Sequence, residues 1–550
     1  MGGESKSNES LRYGFAVLAG CLWALAFPEP GWAGLAWAVP GMLMLVTLGR
    51  SGWAAFRIGW VAGMVHFLIS LRWLLQMPHP VGAGAGWLAL SAYCALFAGA
   101  WSWAAGELLR PSRGWVATPD QPSWQTGWPA IANQAWSKRV FLWASLAAVW
   151  VALEMIRARL FTGFAWNLLG VSQWRQLPLI QLAGITGVYG LSFLIVWLSL
   201  SLTGAAMTLV YRPRDRWAWT AETRLPLLLL VLIAGGGFWT LLEKQRRREG
   251  AVREIRLALI QPSIPQTLQW DTQADATNFS RILALTEQAL ALKPDALIWP
   301  EGSFGLSSLN WAQVTNLTTA GGVSWIFNTA TEDGQQRSMN SAVWLAPEGQ
   351  FRGRYDKRRL VMFGEFVPLE AWLPFLRYLT PIGSSFAAGT EPVTFSLIPG
   401  ATNPPVEIAP IICFEDTFPQ GVPDHVRSST DLLLEITNDA WFGESSAQWQ
   451  HAANAVFRAV ENGVPLVRTA NNGLTVWFDA AGVPHDLFGE RSNVYQAGFE
   501  IARIPVGVAR TETYYHRHGD VFGWSCVGAG FWALMRAHWR QRAQRKPSPG

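Results

Sequence analysis

The chain has 550 residues, of which 50% are hydrophobic and only 15% charged, with a formal net charge of +5. Soluble proteins carry about a quarter charged residues, so this deficit excludes a water-soluble enzyme over the whole length and points to lipid. The small positive excess gathers in short segments between apolar runs, which fits membrane topology and excludes a basic nucleic-acid surface.

Crossing the hydrocarbon core as a helix takes roughly 20 apolar residues. Eight segments near that length occur, at about 12–28, 32–49, 54–75, 83–109, 139–158, 186–210, 224–242 and 519–536. The seventh is the cleanest, with no charge from Leu225 to Leu242, whereas Glu154, Arg157 and Arg159 crowd the end of the fifth. Glu154 and Arg157 read as a membrane-buried ion pair. The uncharged stretch between Arg175 and Arg212 exceeds one span, so Leu177 to Ile185 is expected to be interfacial or re-entrant. The first segment has the length of a signal peptide, but the spans after it carry the membrane reading without it. The 33 Trp suit the headgroup layer, where the ring is buried and the indole N–H hydrated.

Lys6, Arg12, Arg50, Arg57, Arg110, Arg113, Lys138, Arg139, Arg212, Arg214, Arg216, Arg224 and the Arg536 to Lys546 tail all fall on one side of these spans. Positive-inside counting makes that side cytoplasmic and puts the region after the seventh span outside. Lys244, Arg246, Arg247 and Arg248 run against the rule, but long translocated domains obey it poorly and basic residues beside a membrane attract anionic headgroups. The segment Pro111 to Ser137, rich in Pro, Trp, Gln and Ser, is then a cytoplasmic loop. The predicted organisation is a membrane domain over 1–245 with about seven transmembrane helices, a catalytic domain over 250–515, and an eighth helix with a basic cytoplasmic tail over 516–550.

Within 250–515 short apolar runs rich in β-branched and aromatic residues predict strands: Ile255 to Gln261, Ala296 to Trp299, Val323 to Thr329, Ser341 to Leu345, Glu407 to Ile412, Leu432 to Thr437, Pro465 to Thr469 and Leu474 to Phe478. Asn278 to Leu292 has its apolar residues at helical spacing and is stopped by Lys293-Pro294. Together these give a layered α/β domain.

Three polar groups stand at strand ends or edges: Glu301 after Leu297-Ile298-Trp299-Pro300, Lys357 in Arg354-Tyr355-Asp356-Lys357, and Cys413 after Ile411-Ile412. Strand ends meet at one rim of a sheet, so residues distant in sequence can converge there. Cys413 lies in the soluble part, whereas Cys21, Cys94 and Cys526 lie in apolar runs, so it has no disulfide partner there. The two carboxylates that follow it, Glu415 and Asp416, suit charge positioning better than packing. A thiol with a pKa near 8.5 is about 3% ionised at neutral pH, and a nearby cation such as Lys357 raises that fraction. Glu301, if partly desolvated, can take the thiol proton, and Lys357 can hold the oxyanion of a tetrahedral intermediate.

The order Trp-Pro-Glu301, Tyr-Asp-Lys357 and Ile-Cys413-Phe-Glu415 resembles the Glu-Lys-Cys triad of the nitrilase superfamily. Several phrases are more specific: Gln261-Pro262-Ser263-Ile264-Pro265-Gln266 with Trp270-Asp271, Phe363-Gly364-Glu365-Phe366-Val367-Pro368, Thr437-Asn438-Asp439-Ala440-Trp441-Phe442-Gly443, Asn471-Asn472-Gly473, and Tyr514 to Asp520. Together with the flanking spans they resemble the apolipoprotein N-acyltransferases over nearly the whole chain. The resemblance implies an αββα nitrilase-like domain on a multi-pass helical bundle in a bacterial inner membrane, facing the periplasm. It implies transfer of an acyl chain from a phospholipid, typically phosphatidylethanolamine, through a Cys413 thioester to the N-terminal diacylglyceryl-cysteine of apolipoproteins. It assigns Glu301 as base, Lys357 as oxyanion partner, Glu365 and Glu415 as supports, and Trp270, Asn340, Phe414 and Trp441 as substrate contacts. The chain departs from the family pattern in Met362 for Pro, Phe414 for Tyr and Pro374 for a basic residue.

Val361 to Tyr378 is too apolar for free exposure to water and reads as a lid dipping into the outer leaflet, admitting acyl chains and excluding water. His516 and His518 have no third ligand nearby and no phosphate-cradling Gly loop occurs in context, so neither metal nor cofactor is expected, and the protein is expected to work as a monomer. Two rival readings are a membrane-tethered amidohydrolase of a small amide using the same triad, and a transporter or assembly protein that kept the fold. The spans lack the paired polar breaks that transport sites need.

Overall fold

The computed structural model of the chain describes residues 6–110, 128, 131–211, 216–250, 253–269, 273–302, 308–370, 372–380, 382–399, 404–488, 494–507, 510 and 512–545. It divides into two compact units, one of Met1–Arg72, Gly86–Gly237 and Asp520–Gly550, the other of Trp73–Ala85 and Phe238–Gly519.

The first unit is helical. Among the described residues, five helices are long and apolar enough to cross a membrane: Trp53–Ser70, Pro80–Leu108, Trp136–Arg157, Val188–Val210 and Ala221–Glu249. The other three expected segments are helical but shorter or more polar. Lys6–Leu25 begins with Lys6, Glu9 and Arg12, Val521–Arg545 turns basic from Arg536, and the second segment is split into the 3-10 turn Ala33–Trp37 and the helix Val39–Thr47. Pro40 sits in the first turn of that last helix, where its missing N–H costs nothing. Leu177 to Ile185 forms two one-turn helices, Leu177–Ile180 and Ala183–Thr186, closed by Gly187 at φ 65°.

Leu225, Leu228, Val231, Leu232, Phe238 and Trp239 all lie exposed on one long helix. Water would not tolerate that surface, but hydrocarbon does. Inside the bundle, small residues set the packing: a Cβ on Gly59 would lie 2.5 Å from the Ala98 carbonyl, and one on Gly63 2.9 Å from Ala95 Cα. Arg139 and Glu222 form a fully buried ion pair. Glu154 and Arg157, read from the sequence as such a pair, take other partners. Glu154 accepts from Leu169 N at 2.7 Å and Trp150 Nε1 at 3.1 Å, and Arg157 donates to the Trp166 carbonyl at 2.9 Å. The segment after this helix turns back and offers its own backbone to both charges, so neither needs the other.

The second unit is built on strands β1 Arg253–Gln261, β2 Ala296–Ile298, β3 Ser324–Glu332, β4 Ser338–Leu345, β5 Phe351–Asp356, β6 Phe395–Leu397, β7 Val406–Ile412, β8 Leu432–Thr437, β9 Leu466–Ala470, β10 Val476–Phe478, β11 Pro484–His485 and β12 Gly498–Val506. They form two six-stranded sheets, in the orders β12-β1-β2-β3-β4-β5 and β11-β10-β9-β8-β7-β6. Side chains alternate across the pleat. Leu257 and Leu259 of β1 therefore enter a core shared with Ile408, Leu434 and Ile436 of the other sheet, while Ala258 and Ile260 meet Phe279, Ile282 and Val314 of the helices Asp275–Leu290 and Ser308–Gly321. Helix Ala447–Asn462, buried along its length, packs on the second sheet. The result is the expected αββα sandwich, and all eight predicted strands are present.

The core between the sheets carries the unit's stability. Ile436→Ala, at a fully buried position of β8, should cost about 2–5 kcal/mol and lower the melting temperature of the α/β unit, measured by heating the purified protein in detergent and following loss of protease resistance.

Candidate active site

The parallel strands β2, β7 and β8 end in the segments that hold the site. Glu301 follows β2, Lys357 follows β5, and Cys413 caps β7 at φ 52°, a left-handed conformation that a non-glycine residue adopts only when its surroundings hold it there. The turn Cys413–Thr417 is fixed by Glu415, whose carboxylate accepts from Ile412 N at 2.8 Å, Arg358 N at 2.8 Å, Arg359 N at 3.1 Å and the Tyr355 hydroxyl at 2.7 Å. One carboxylate thus ties the Cys413 turn to the segment bearing Lys357.

Lys357 is buried and its ammonium is shared: Nζ donates to Glu365 Oε1 at 2.8 Å and Glu301 Oε1 at 3.2 Å. Asn340 Nδ2 lies within 2.9 Å of Glu301 Oε1 and 2.7 Å of Glu365 Oε1, and its own Oδ1 accepts from Asn328 Nδ2 at 2.6 Å. Glu301 Oε2 accepts from Asn438 N at 3.1 Å, and Glu365 Oε2 from Val361 N at 2.7 Å. Every carboxylate oxygen of the pair therefore has a donor, which a buried charge requires.

The electrostatics follow from that arrangement. Burial alone pulls the Lys357 ammonium down, but the Glu301 and Glu365 carboxylates outweigh it and hold the group well above its ordinary value. Burial pushes the Cys413 thiol well up, Glu301 pushes it further, and Lys357 only partly offsets them. The resting sulfur is a thiol, not the thiolate that a neighbouring lysine suggests from sequence. Among the carboxylates around it, Glu301 is the one whose charge acts most strongly on the sulfur.

Residues 19–201 match the apolipoprotein N-acyltransferase N-terminal domain, and residues 256–490 match the carbon-nitrogen hydrolase domain. The chain is 34% identical to the apolipoprotein N-acyltransferase of Geobacter metallireducens over 94% of its own length and 93% of the relative's. It is 30% identical to that of Rhizobium rhizogenes, over 90% and 92%. It belongs to the apolipoprotein N-acyltransferase family. A membrane bundle joined to a carbon-nitrogen hydrolase sandwich is thus the architecture of an apolipoprotein N-acyltransferase family member, and the site above lies in its hydrolase-type domain.

Of the predicted residues, Glu301, Lys357, Asn340 and Glu365 meet in one hydrogen-bonded cluster with Cys413 in its field, and Glu415 braces the turn behind. Phe414 is half-buried, edge-on to Phe418 at 5.0 Å between centroids, and Trp441 is half-buried in the 3-10 turn Asp439–Phe442. Trp270 and most of the 111–137 loop lie outside the described residues. Pro374 opens the 3-10 turn Pro374–Leu379, and Arg377 within it brings a basic residue three positions on.

Sequence reasoning missed Asn328, Tyr355, Thr437, His451 and Arg468. Asp416, Glu435 and His451 offer ligand atoms within 4.8 Å of one another, a spacing suited to a metal. Arg468 already supplies a cation there, bonding Glu435 through Nη1 and Asp439 through Nη2 at 2.5 Å. The set is an ion-pair network, not an ion cage.

The charges around the sulfur set opposite signs for two variants. Glu301→Gln removes the negative charge that raises the thiol pKa, so alkylation of Cys413 by iodoacetamide at neutral pH should speed up, while Lys357→Met should slow it, each by about tenfold. The measurement is the second-order rate at Cys413, mapped by mass spectrometry. Equal rates in both variants would mean that neither charge acts on the sulfur.

Proposed function

We propose that this protein N-acylates the N-terminal diacylglyceryl-cysteine of apolipoproteins, taking the acyl chain from a membrane phospholipid such as phosphatidylethanolamine through a thioester on Cys413. The observation that carries the reading is the fully bonded Glu301–Lys357–Glu365–Asn340 cluster acting on a buried thiol in a member of this family. Glu301 takes the thiol proton as sulfur attacks the ester carbonyl. Lys357 stabilises the oxyanion, and the lysophospholipid alkoxide leaves with the proton from Glu301. The lipoprotein amine then attacks the thioester, gives a proton to Glu301, and the sulfur leaves and recovers it. Phosphorus chemistry plays no part, since the ester cleaved is carboxylic, and the residues present need no metal or cofactor for either half.

The same reading makes the protein a monomer of the bacterial inner membrane with eight spans, seven within 1–245 and one within 516–550, and its 250–515 domain at the periplasmic face. Trp441, Phe414 and Trp270 would line the substrate pocket. Leu369, Trp372, Phe375 and Tyr378 support a lipid-touching lid, because all four are exposed and Trp372 is 83% so. A surface this apolar favours the acyl boundary of a bilayer over water.

Two experiments test it. Incubation with a phospholipid labelled in its acyl chain should yield a hydroxylamine-sensitive adduct on Cys413, absent from Cys413→Ala, and chase with a diacylglyceryl peptide should discharge it. Acyl transfer without the adduct would overturn the mechanism, and ammonia release from small amides without lipid would make the protein an amidohydrolase. For the lid, Trp372→Ser should raise KM for phospholipid by about tenfold, the worth of one large side chain leaving hydrocarbon, with kcat for the chase step unchanged. An unchanged KM would remove Trp372 from lipid contact.

A further inference from the structure

Behind the nucleophile lies a group of buried ionisable residues that the reaction above does not use. Asp416, three residues after Cys413, meets His451 Nε2 of helix Ala447–Asn462 at 2.9 Å. His451 Nδ1 lies 2.7 Å from Asp439 Oδ1, in the turn after β8. Asp439 Oδ2 is 2.5 Å from Arg468 Nη2 on β9, and Arg468 Nη1 pairs with Glu435, its cross-strand neighbour on β8. All five side chains are at most 1% exposed.

The network returns to the sulfur through Thr437. Its hydroxyl donates to Asp439 Oδ1 at 3.5 Å and also acts on the Cys413 thiol, favouring the ionised sulfur. That hydroxyl has one proton to give. Asp439 accepts at short range from His451 and Arg468, so its hold on Thr437 is long and weak. The Thr437 proton is therefore available to the sulfur once the thiol ionises. A neutral imidazole between two carboxylates could donate to only one of them. The other would then compete for Thr437 and leave an unbalanced negative charge beside the nucleophile. The same turn carries Asn438, whose N–H holds Glu301 Oε2.

We infer that His451 is a positioning residue, held as an imidazolium between Asp416 and Asp439, that locks the Cys413 turn to the Asn438 turn and frees the Thr437 hydroxyl to stabilise the Cys413 thiolate. The groups facing it from every packed element are Asp416, Glu435, Asp439 and Arg468. Against the pull of burial and of the Arg468 guanidinium, whose Nη2 lies 3.0 Å from Nδ1, Asp416 and Asp439 raise the imidazole to about 10, while burial lifts Glu435 to about 8.

The inference rests on Cys413 being the nucleophile, and the test separates the two. In the full-length protein in nanodiscs, the pH midpoint of iodoacetamide alkylation at Cys413 is read by mass spectrometry for wild type, His451→Gln, Asp416→Asn and the double variant. Loss of the imidazolium charge should raise the midpoint by about one unit, tenfold slower at neutral pH. Loss of the Asp416 charge should lower it, and the double variant should return close to wild type. A packing role alone moves neither midpoint in opposite directions. Should His451→Gln fail to fold, the downward shift in Asp416→Asn decides the matter. Midpoints that stay fixed or move the same way in folded protein overturn the inference, whereas acyl transfer surviving in Cys413→Ala overturns the nucleophile itself.

Discussion

One ammonium group shared by two carboxylates governs the site. Lys357 lies out of water, and a lone buried charge of that kind costs more than a domain's net stability allows. Glu301 and Glu365 remove that cost, and Asn340 donates to both of the oxygens that face the lysine. Because the partners come from the end of β2, from β4 and from the segment after β5, the first sheet must hold its strands in register for the cluster to exist. Side chains that would be unstable singly are stable together, and breaking any one pair leaves a buried charge exposed to the others.

The cluster also fixes the state of the sulfur. Two carboxylates and one ammonium leave a local excess of negative charge, and together with burial this keeps Cys413 protonated at rest. A protonated thiol is safe from oxidation and from stray electrophiles. Glu301, whose field already acts on the sulfur, is the carboxylate placed to serve as the proposed base. The left-handed backbone at Cys413 and the four donors gathered on Glu415 hold the sulfur at the end of β7.

Much of this was legible in the residues. The strands read from apolar runs are those buried over most of their length, such as β1 and β8, because Leu, Ile and Ala dominate the runs Ile255 to Gln261 and Leu432 to Thr437. Strands β5 and β12 were not read because they lie at opposite edges of the first sheet and carry polar residues: Phe351 and Arg352 are exposed, and Glu500 and Arg503 interrupt the apolar pattern of β12. β12 pairs with β1 across about 250 residues of chain, Ile504 opposite Ile255, and no local pattern signals a pairing at that distance. Glu301 and Cys413 were readable because polar residues just after apolar strands stand out, whereas Lys357 follows the polar β5 and was read from its Tyr-Asp-Lys phrase. Tyr355 and Thr437 did not stand out, since an aromatic and a β-branched residue are what a strand is expected to contain, and their hydroxyls matter only through contacts with Glu415 and Cys413.

Glu435 and Arg468 show what a closer reading could have used. Each is a charged residue inside an otherwise apolar, fully buried strand, and parallel strands place them side by side. Charge in a buried strand is stable only when a partner lies at the same level of the neighbouring strand. Two such exceptions in consecutive central strands therefore predict both the pairing of the strands and its register. The same constraint extends to Asp439 and His451, so the residues that specify how the second sheet is assembled are also those that gather charge behind Cys413.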